Sequence, residues 1–488
     1  MSLLVFVLGI PAGLAAVSFL VRRIKVLAVC GVVGHGFVLA LTAVLLQVVN
    51  WQGKMVLLGG AVHVDALSAF FLFTIAFVNF ASSLYSVGYV AMDVDDEKIS
   101  ENKARMYYLL FNVFSLTMYL VTVVNNLGML WVCIEMTTLV SAFLVGFYRT
   151  KESVEAAWKY IIICSAGIIL ALLGTILFAY AMSVAGGIKS LNWTDLAATA
   201  RHFDKNIVRI AFIFILVGYG TKAGLAPMHT WLPDAHSQAI APISALLSGV
   251  LLKTALYAIL RYIMIVNTAL GSADFTSHLL IIFGLASLAV ASVFIVVQKD
   301  LKRLLAYSSI EHIGIITLGF GLGGPVGITG ALLHIFNHAV SKSLMFFGAG
   351  AIVRHYRRHD MNSIHGVIQA MPFTGMVFLL GAFVLTGFPP FSMFMSELLV
   401  ALAGFGRGAY GVVILFLFFL AVIFGGILYH LSGMLFGHRP KGVDAAREPA
   451  SIKWAMAFLL FPACVLGLVV PPPLQEGIKA VIKLVQGG

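Results

Sequence analysis

Apolar runs of about 20 residues recur along the chain between short polar stretches, and a helix of that length crosses the ~30 Å hydrocarbon core of a bilayer. The pattern predicts fourteen such segments, with cores near 3–21, 27–48, 65–90, 105–124, 127–147, 157–183, 207–227, 242–264, 277–297, 303–322, 327–352, 371–402, 410–434 and 453–470. Hydrocarbon cannot hydrogen-bond a backbone, so runs of this kind must close their own hydrogen bonds as helices. The expected fold class is all-α, a polytopic integral membrane protein. Two runs carry breakers: Gly224-Leu225-Ala226-Pro227 late in the seventh and Gly387-Phe388-Pro389-Pro390 inside the twelfth. Proline lacks an N–H and clashes with the preceding turn, so both helices are expected to be interrupted at membrane depth.

These breaks fall at corresponding places in two blocks of similar size that follow the acidic loop Asp93 to Glu101. The chain accordingly divides into 1–104 (three N-terminal helices), 105–265 (helices four to eight), 276–435 (helices nine to thirteen) and 450–488 (a last helix and a short amphipathic tail). Broken helices at matching positions of two halves point to a transport site. The first apolar segment has no basic leader and is followed by Arg22-Arg23, so it reads as a spanning helix and not as a cleaved signal.

Composition agrees: 61% of residues are hydrophobic and 10% charged, and the mean hydropathy is +1.01. A net charge of +11 does not imply nucleic acid here, because no basic run has the polar surroundings such a surface needs. Loop charge instead reports orientation. With loops assigned to alternate sides, eighteen Lys and Arg fall on one side, among them Arg22, Arg23, Lys302 and Arg354. Nine fall on the other, among them Lys54, Lys189, Arg261 and Arg407. By the positive-inside rule the richer side is cytoplasmic, which puts both termini outside. Cys30, Cys133, Cys164 and Cys464 are dispersed without CxxC spacing, which argues against an iron–sulfur cluster or structural zinc. Dinucleotide, phosphate-loop and HExxH motifs are absent, so no redox or hydrolytic chemistry is expected in this chain.

The chemistry lies in charges placed at mid-helix: Glu135, Lys222, Lys253, Glu311, Lys342 and Glu397. Each costs roughly 2.5–3.5 kcal/mol on insertion scales, so such residues usually mark an ion pathway. Lys253 has no carboxylate in its own helix and lies eleven residues past Pro242, too deep for its stem to reach the interface. His334, His338 and Lys342 stand at i, i+4 and i+8, on one helix face, where imidazoles can accept and pass protons. Two histidines four apart also bind zinc, but no third ligand completes a motif, so no metal site is expected. Glu311 and His312 are adjacent and point about 100° apart; His312 is expected to face the axis. Lys159 sits near a helix end, where snorkelling explains it. Loop hydration and capping account for His229, Asp234 and His236, and an interfacial position for His63 and Asp65. The bland alternatives are fixed salt bridges that lock helices and hydrogen-bonded packing histidines.

Lys222 to His236 (KAGLAPMHTWLPDAH), Ser244 to Lys253 (SALLSGVLLK), Arg149 to Tyr160 (RTKESVEAAWKY), Ala306 to Gly314 (AYSSIEHIG), His334 to Lys342 and Pro389-Pro390 to Glu397 together resemble the antiporter-like subunits of respiratory complex I. The resemblance covers about residues 60–435. The stretches 149–160 and 228–236 are most similar to the F-type membrane subunit of hydrogenase-4 and formate hydrogenlyase complexes, group 4 nickel–iron hydrogenases. The chain departs from the family at Gln238-Ala239-Ile240, where Glu-Ala-Pro is frequent, and it lacks a long lateral helix.

The resemblance implies two inverted five-helix repeats and a mid-membrane relay of Glu135, Lys222, Lys253, His312, His334, His338, Lys342 and Glu397. Glu135 would pair with Lys222 as a gate, and Glu397 would serve the exit half-channel. It implies proton translocation coupled to redox chemistry in partners: other membrane subunits, a small quinone-site-like subunit, and a peripheral arm. Nickel–iron or iron–sulfur centres, and quinone, are expected in those partners, with no cofactor or metal in this chain. The expected location is the inner (cytoplasmic) membrane. The rival readings are a subunit of a multi-subunit sodium/proton antiporter without a redox arm, and a scaffold that does not conduct.

Overall fold

The computed structural model describes residues 2–186 and 190–486. Lys189, counted above among the loop cations, lies outside the described residues. Among the described residues, eleven helices are long and apolar enough to cross a membrane. They are α1 (Ser2–Leu20), α2 (Ile24–Gln52), α3 (Ala66–Asp95), α4 (Glu101–Val123), α5 (Leu127–Val145), α6 (Lys151–Val184), then, after the short α7 (Trp193–Thr199), α8 (Lys205–Ala223). Past α9 (Trp231–Gln238), α10 (Ala241–Leu246) runs through a π turn, Leu247–Leu251, into α11 (Leu252–Leu270) as one span, and α12 (Asp274–Val297) and α13 (Leu301–Leu322) follow. After α14 (Gly324–Tyr356), α15 (Val367–Ala370), α16 (Pro372–Leu385) and α17 (Ser392–Gly406) comes the eleventh, α18 (Tyr410–Leu435). The chain closes with α19 (Ala450–Val465) and the amphipathic α20 (Pro472–Val485).

The other three expected spans are α14, diluted by its polar face, the broken pair α16/α17, and the short α19. Polar residues just before the apolar runs set the helix starts. Asp65, Ser100, Asn126, Thr150, Asp204 and Asp300 each accept a first-turn backbone N–H of α3, α4, α5, α6, α8 and α13. Both predicted interruptions are present. Helix α8 stops at Gly224, whose φ of +81° makes the left-handed cap, and helix resumes at Trp231. The second break separates Leu385 from Ser392.

Burial sorts the spans. Every residue from Ala241 to Ile263 is buried and exposure returns only at the end of that span, at Thr268, whereas α18 buries few of its residues and exposes Ile414 and Phe418. The polar centre of the molecule is therefore built around α10–α11, with α13 and α14 beside it. Small residues bring backbones together there: a Cβ on Gly249 would stand 2.7 Å from Ser343 Oγ and 3.2 Å from the Ala339 carbonyl of α14.

Three sequence readings change. Asp65 is enclosed by protein and not merely solvated at the interface. It is buried at the end of a hairpin, Lys54–Leu57 paired antiparallel with Val62–Asp65, and binds Arg261 of α11 through two 2.6 Å hydrogen bonds. Arg261 is therefore not a loop cation; Tyr257 OH and Ser68 Oγ accept from its Nη2 as well, and the Trp193 ring lies 4.2 Å away. Lys302, also counted as a loop cation, is buried in the first turn of α13 and donates to the Ala239 carbonyl at 2.9 Å. Removing one cation from each side leaves the twofold charge asymmetry in place. On the opposite face from the hairpin, Arg354 binds both Asp93 and Asp96, fastening α14 to α3, and Asp234 binds Arg303 and Lys159.

Burial alone would raise the Asp65 carboxyl, yet the facing Arg261 guanidinium holds it below the usual carboxylate range. A carboxylate depressed in the folded state stabilises fully above its unfolded value, near 3.9, and that contribution fades as pH falls through the folded value. Arg261→Ala should leave the carboxylate buried without a partner and lower stability by roughly 3–5 kcal/mol. Thermal unfolding in detergent would show it. Asp65→Asn with Arg261→Met, which removes both charges, should recover most of the loss and flatten the acid limb of the stability curve.

Candidate functional site

The site is a band of buried polar side chains across α5, α6, α8, α11, α13, α14 and α17. In the first half, Lys222 lies one turn before the break in α8 and is fully buried. Its Nζ donates to Thr138 Oγ1 at 2.8 Å and to Tyr160 OH at 2.5 Å, and Tyr160 OH meets Ser141 Oγ at 2.7 Å. The expected direct pair with Glu135 is not made; no ion pair between them lies within 4.0 Å. Glu135 instead accepts from Ser165 Oγ at 2.7 Å through Oε1, and its buried Oε2 has no partner. Thr138, which accepts from Lys222, lies three residues after Glu135 on the same face of α5. A carboxylate with a free buried oxygen and a lysine held by neutral hydroxyls form a pair that is open in this conformation.

The broken helix is held in shape by Trp231, whose indole N–H donates to the Thr221 carbonyl at 2.8 Å, a backbone acceptor near the end of α8. Next to it lies a residue that sequence reasoning set aside. His236 is fully buried, both ring nitrogens lack partners, and its ring stacks on Phe346 of α14 at 5.3 Å. Capping does not explain it. Tyr160, Trp231, His236 and Phe346 thus form a continuous aromatic stack from the Lys222 pocket to α14. The signal was present as a histidine in an eight-residue helix after a break, but a short helix after a proline reads as loop.

In the centre, Lys253 follows the π turn of Leu247–Leu251. Its Nζ donates to the Ser248 carbonyl at 2.6 Å and approaches His338 Nδ1 at 2.5 Å, and among the described residues no carboxylate lies within ion-pair distance of it. Single π turns recur at functional sites, and here one offers the carbonyl that solvates the ammonium. Lys342, one turn beyond His338 on α14, donates to the Leu305 carbonyl at 2.9 Å.

The structure buries both Glu311 and His312, so the choice between them is not forced; Glu311 accepts from Ser308 Oγ at 3.2 Å and its Oε2 stands 4.0 Å from His312 Nε2. His312 Nδ1 lies 3.0 Å from His334 Nε2, and His334 Nδ1 lies 2.9 Å from Ser396 Oγ. Ser396 Oγ donates its one proton to the Met393 carbonyl at 2.8 Å, so it must accept from His334 Nδ1–H. That fixes the tautomer: His334 presents a lone pair at Nε2, and His312 donates to it from Nδ1. Glu397, just past the second break, is 7% exposed, and its carboxylate lies against Gly387, where a Cβ would collide with it.

All eight predicted relay residues are thus brought to this band, seven fully or nearly buried and Glu135 half-buried. His312, His334 and Glu397 come together as a cluster, as do Lys253 and His338, whereas the Glu135–Lys222 pocket is a separate group in the first half.

The sequence profile of the family described as NADH:quinone oxidoreductase/Mrp antiporter, TM, matches residues 124–424. A hydrogenase-4 component F homolog from Methylacidiphilum infernorum is 39% identical over 85% of this chain and 86% of its own length. Subunit N of an NADH-quinone oxidoreductase from Desulforudis audaxviator is 30% identical over 83% of this chain and 80% of its own. A chain in the structure of an archaeal membrane-bound sulfane sulfur reductase, a respiratory membrane complex, superposes with a TM-score of 0.88 at 24% identity and covers 99% of each chain.

Thr138, which accepts from Lys222, lies one turn from Glu135 on α5, so the two charged residues are expected to act as one unit. Lys222→Ala and Glu135→Ala should each lower proton-gradient formation in membrane vesicles strongly, about tenfold or more. The double variant should lose little further, and full additivity would assign them separate roles.

Proposed function

The chain belongs to the NADH:quinone oxidoreductase/Mrp antiporter family, and from that premise we propose that it moves protons along the buried Glu/Lys/His band, driven by redox chemistry in partner subunits. The observation that carries the reading is Lys253: a fully buried ammonium in the middle of the buried run 241–263, held by a carbonyl and an imidazole. A salt bridge meant to lock helices would have a carboxylate there. Neutral acceptors leave the lysine able to give up its proton to His338, and from His338 the ring pair His312 and His334 leads towards Glu397. A proton enters from the cytoplasm near Glu135 and Lys222, crosses by way of the His236 region to Lys253, passes the histidines, and leaves past Glu397.

In this reading residues 105–265 and 276–435 are two inverted repeats, each contributing one broken helix. The partners are further membrane subunits and a peripheral arm that holds the nickel–iron or iron–sulfur centres, with quinone at the junction. The proposed functional counterparts are hydrogenase-4 membrane subunits, in keeping with the 39% identity above. The location is the inner (cytoplasmic) membrane with both termini outside, in keeping with the loop cations. Sodium-dependent exchange in vesicles without electron donor would instead favour a stand-alone antiporter subunit.

Orientation is tested by reporter fusions after Gly488: an outside reporter is expected to be active and a cytoplasmic one silent, and the reverse result removes the orientation. Glu397→Gln keeps size and hydrogen bonding but cannot titrate. Partner subunits should copurify in normal ratio while the vesicle gradient drops by about tenfold. A wild-type gradient with Gln at 397 would sink the exit assignment.

A further inference from the structure

We infer that His312, His334 and Glu397 form a binding site for a divalent transition metal of the Zn2+ class. They come from three different elements, α13, α14 and α17, and one ligand atom from each lies within 4.8 Å of the others. Two imidazoles and a carboxylate are a frequent zinc donor set, with ligands at about 2.0–2.1 Å and hence roughly 3.4 Å from one another in a tetrahedron. The two facing ring nitrogens are already 3.0 Å apart. Small movements of the carboxylate and rings complete the triangle, leaving the fourth position for water.

The surroundings are those of a metal site as well. A ligating histidine generally gives its far N–H to an outer partner that fixes its orientation. His334 Nδ1 does so to Ser396 Oγ, which points Nε2 at the cluster. For His312, Nδ1 faces the cluster and the far Nε2 is buried without a hydrogen-bond partner, 4.0 Å from the Glu311 carboxylate. Moving the His312 proton from Nδ1 to Nε2 frees the Nδ1 lone pair for the metal and points the new N–H at Glu311. Glu397 makes its own metal bond as carboxylate, releasing a proton to solvent if it carries one. The second break brings the chain surface close to the cluster: Phe388, Pro389 and Pro390 are exposed and Gly387 abuts the Glu397 carboxylate. A metal there would replace the proton shared by His312 and His334, so on the reading above Zn2+ would inhibit pumping.

The test reads binding and not transport, so it stands even if the relay fails. The complex containing the full chain is purified, stripped with chelator and titrated with Zn2+, with X-ray absorption at the zinc edge and Co2+ visible absorption as readouts. The expected result is one tight site per chain with two imidazoles and oxygen ligands, lost in His312→Gln and in Glu397→Gln. Ser396→Ala keeps all three ligands and should weaken binding by about 10- to 100-fold. Unchanged zinc content and spectra in all three variants would place the metal on other histidines and overturn the site. So would the absence of any bound metal at micromolar free Zn2+ in the wild type.

Discussion

An ammonium in hydrocarbon must be solvated by the protein, and the rest of this structure follows from how Lys253 meets that demand. Every residue of its helix from Leu252 to Ile263 is buried, so its stem cannot snorkel to the interface. The relief comes from a π turn that offers the Ser248 carbonyl, from His338 across the interface, and from Gly249, whose missing side chain lets α14 close in. A carboxylate partner would make a stronger but fixed pair. On the proposed reading, carbonyl and imidazole hold the charge loosely enough for the proton to move on to His338.

The same economy of counter-ions recurs along the band. Lys222 rests on two hydroxyls, and Lys342 on the carbonyl of Leu305. Where the fold needs rigidity it uses true ion pairs at the two faces: Asp65 with Arg261 under the hairpin, and Arg354 with Asp93 and Asp96 on the other side. Ion pairs are thus placed outside the proposed relay, and neutral hydrogen-bond partners inside it.

Much of this was legible in the sequence because bilayer physics writes long signals. Twenty apolar residues announce a span, and Gly224 to Pro227 and Gly387 to Pro390 announce the breaks, so the helix ends agree within several residues. The buried charges were equally visible, since any ion at mid-helix stands out against an apolar run. What escaped depended on contacts between distant segments. Asp65 and Arg261 are 196 residues apart, and each looks interfacial alone. His236 looks like a loop histidine until Phe346 and Trp231 close over it. The third ligand beside His312 and His334 comes from Glu397, across a break that no spacing rule connects. The expected Glu135–Lys222 contact erred the other way, because adjacency in a family does not fix the distance in one conformation.

The central claim is that Lys253 passes protons through neutral neighbours. It is tested most directly by the proton gradient formed in inverted membrane vesicles carrying the intact complex with Lys253→Met, which keeps the volume and removes the titrating group. The account predicts complete loss of the gradient with normal assembly of the partner subunits. A gradient of wild-type size would contradict it.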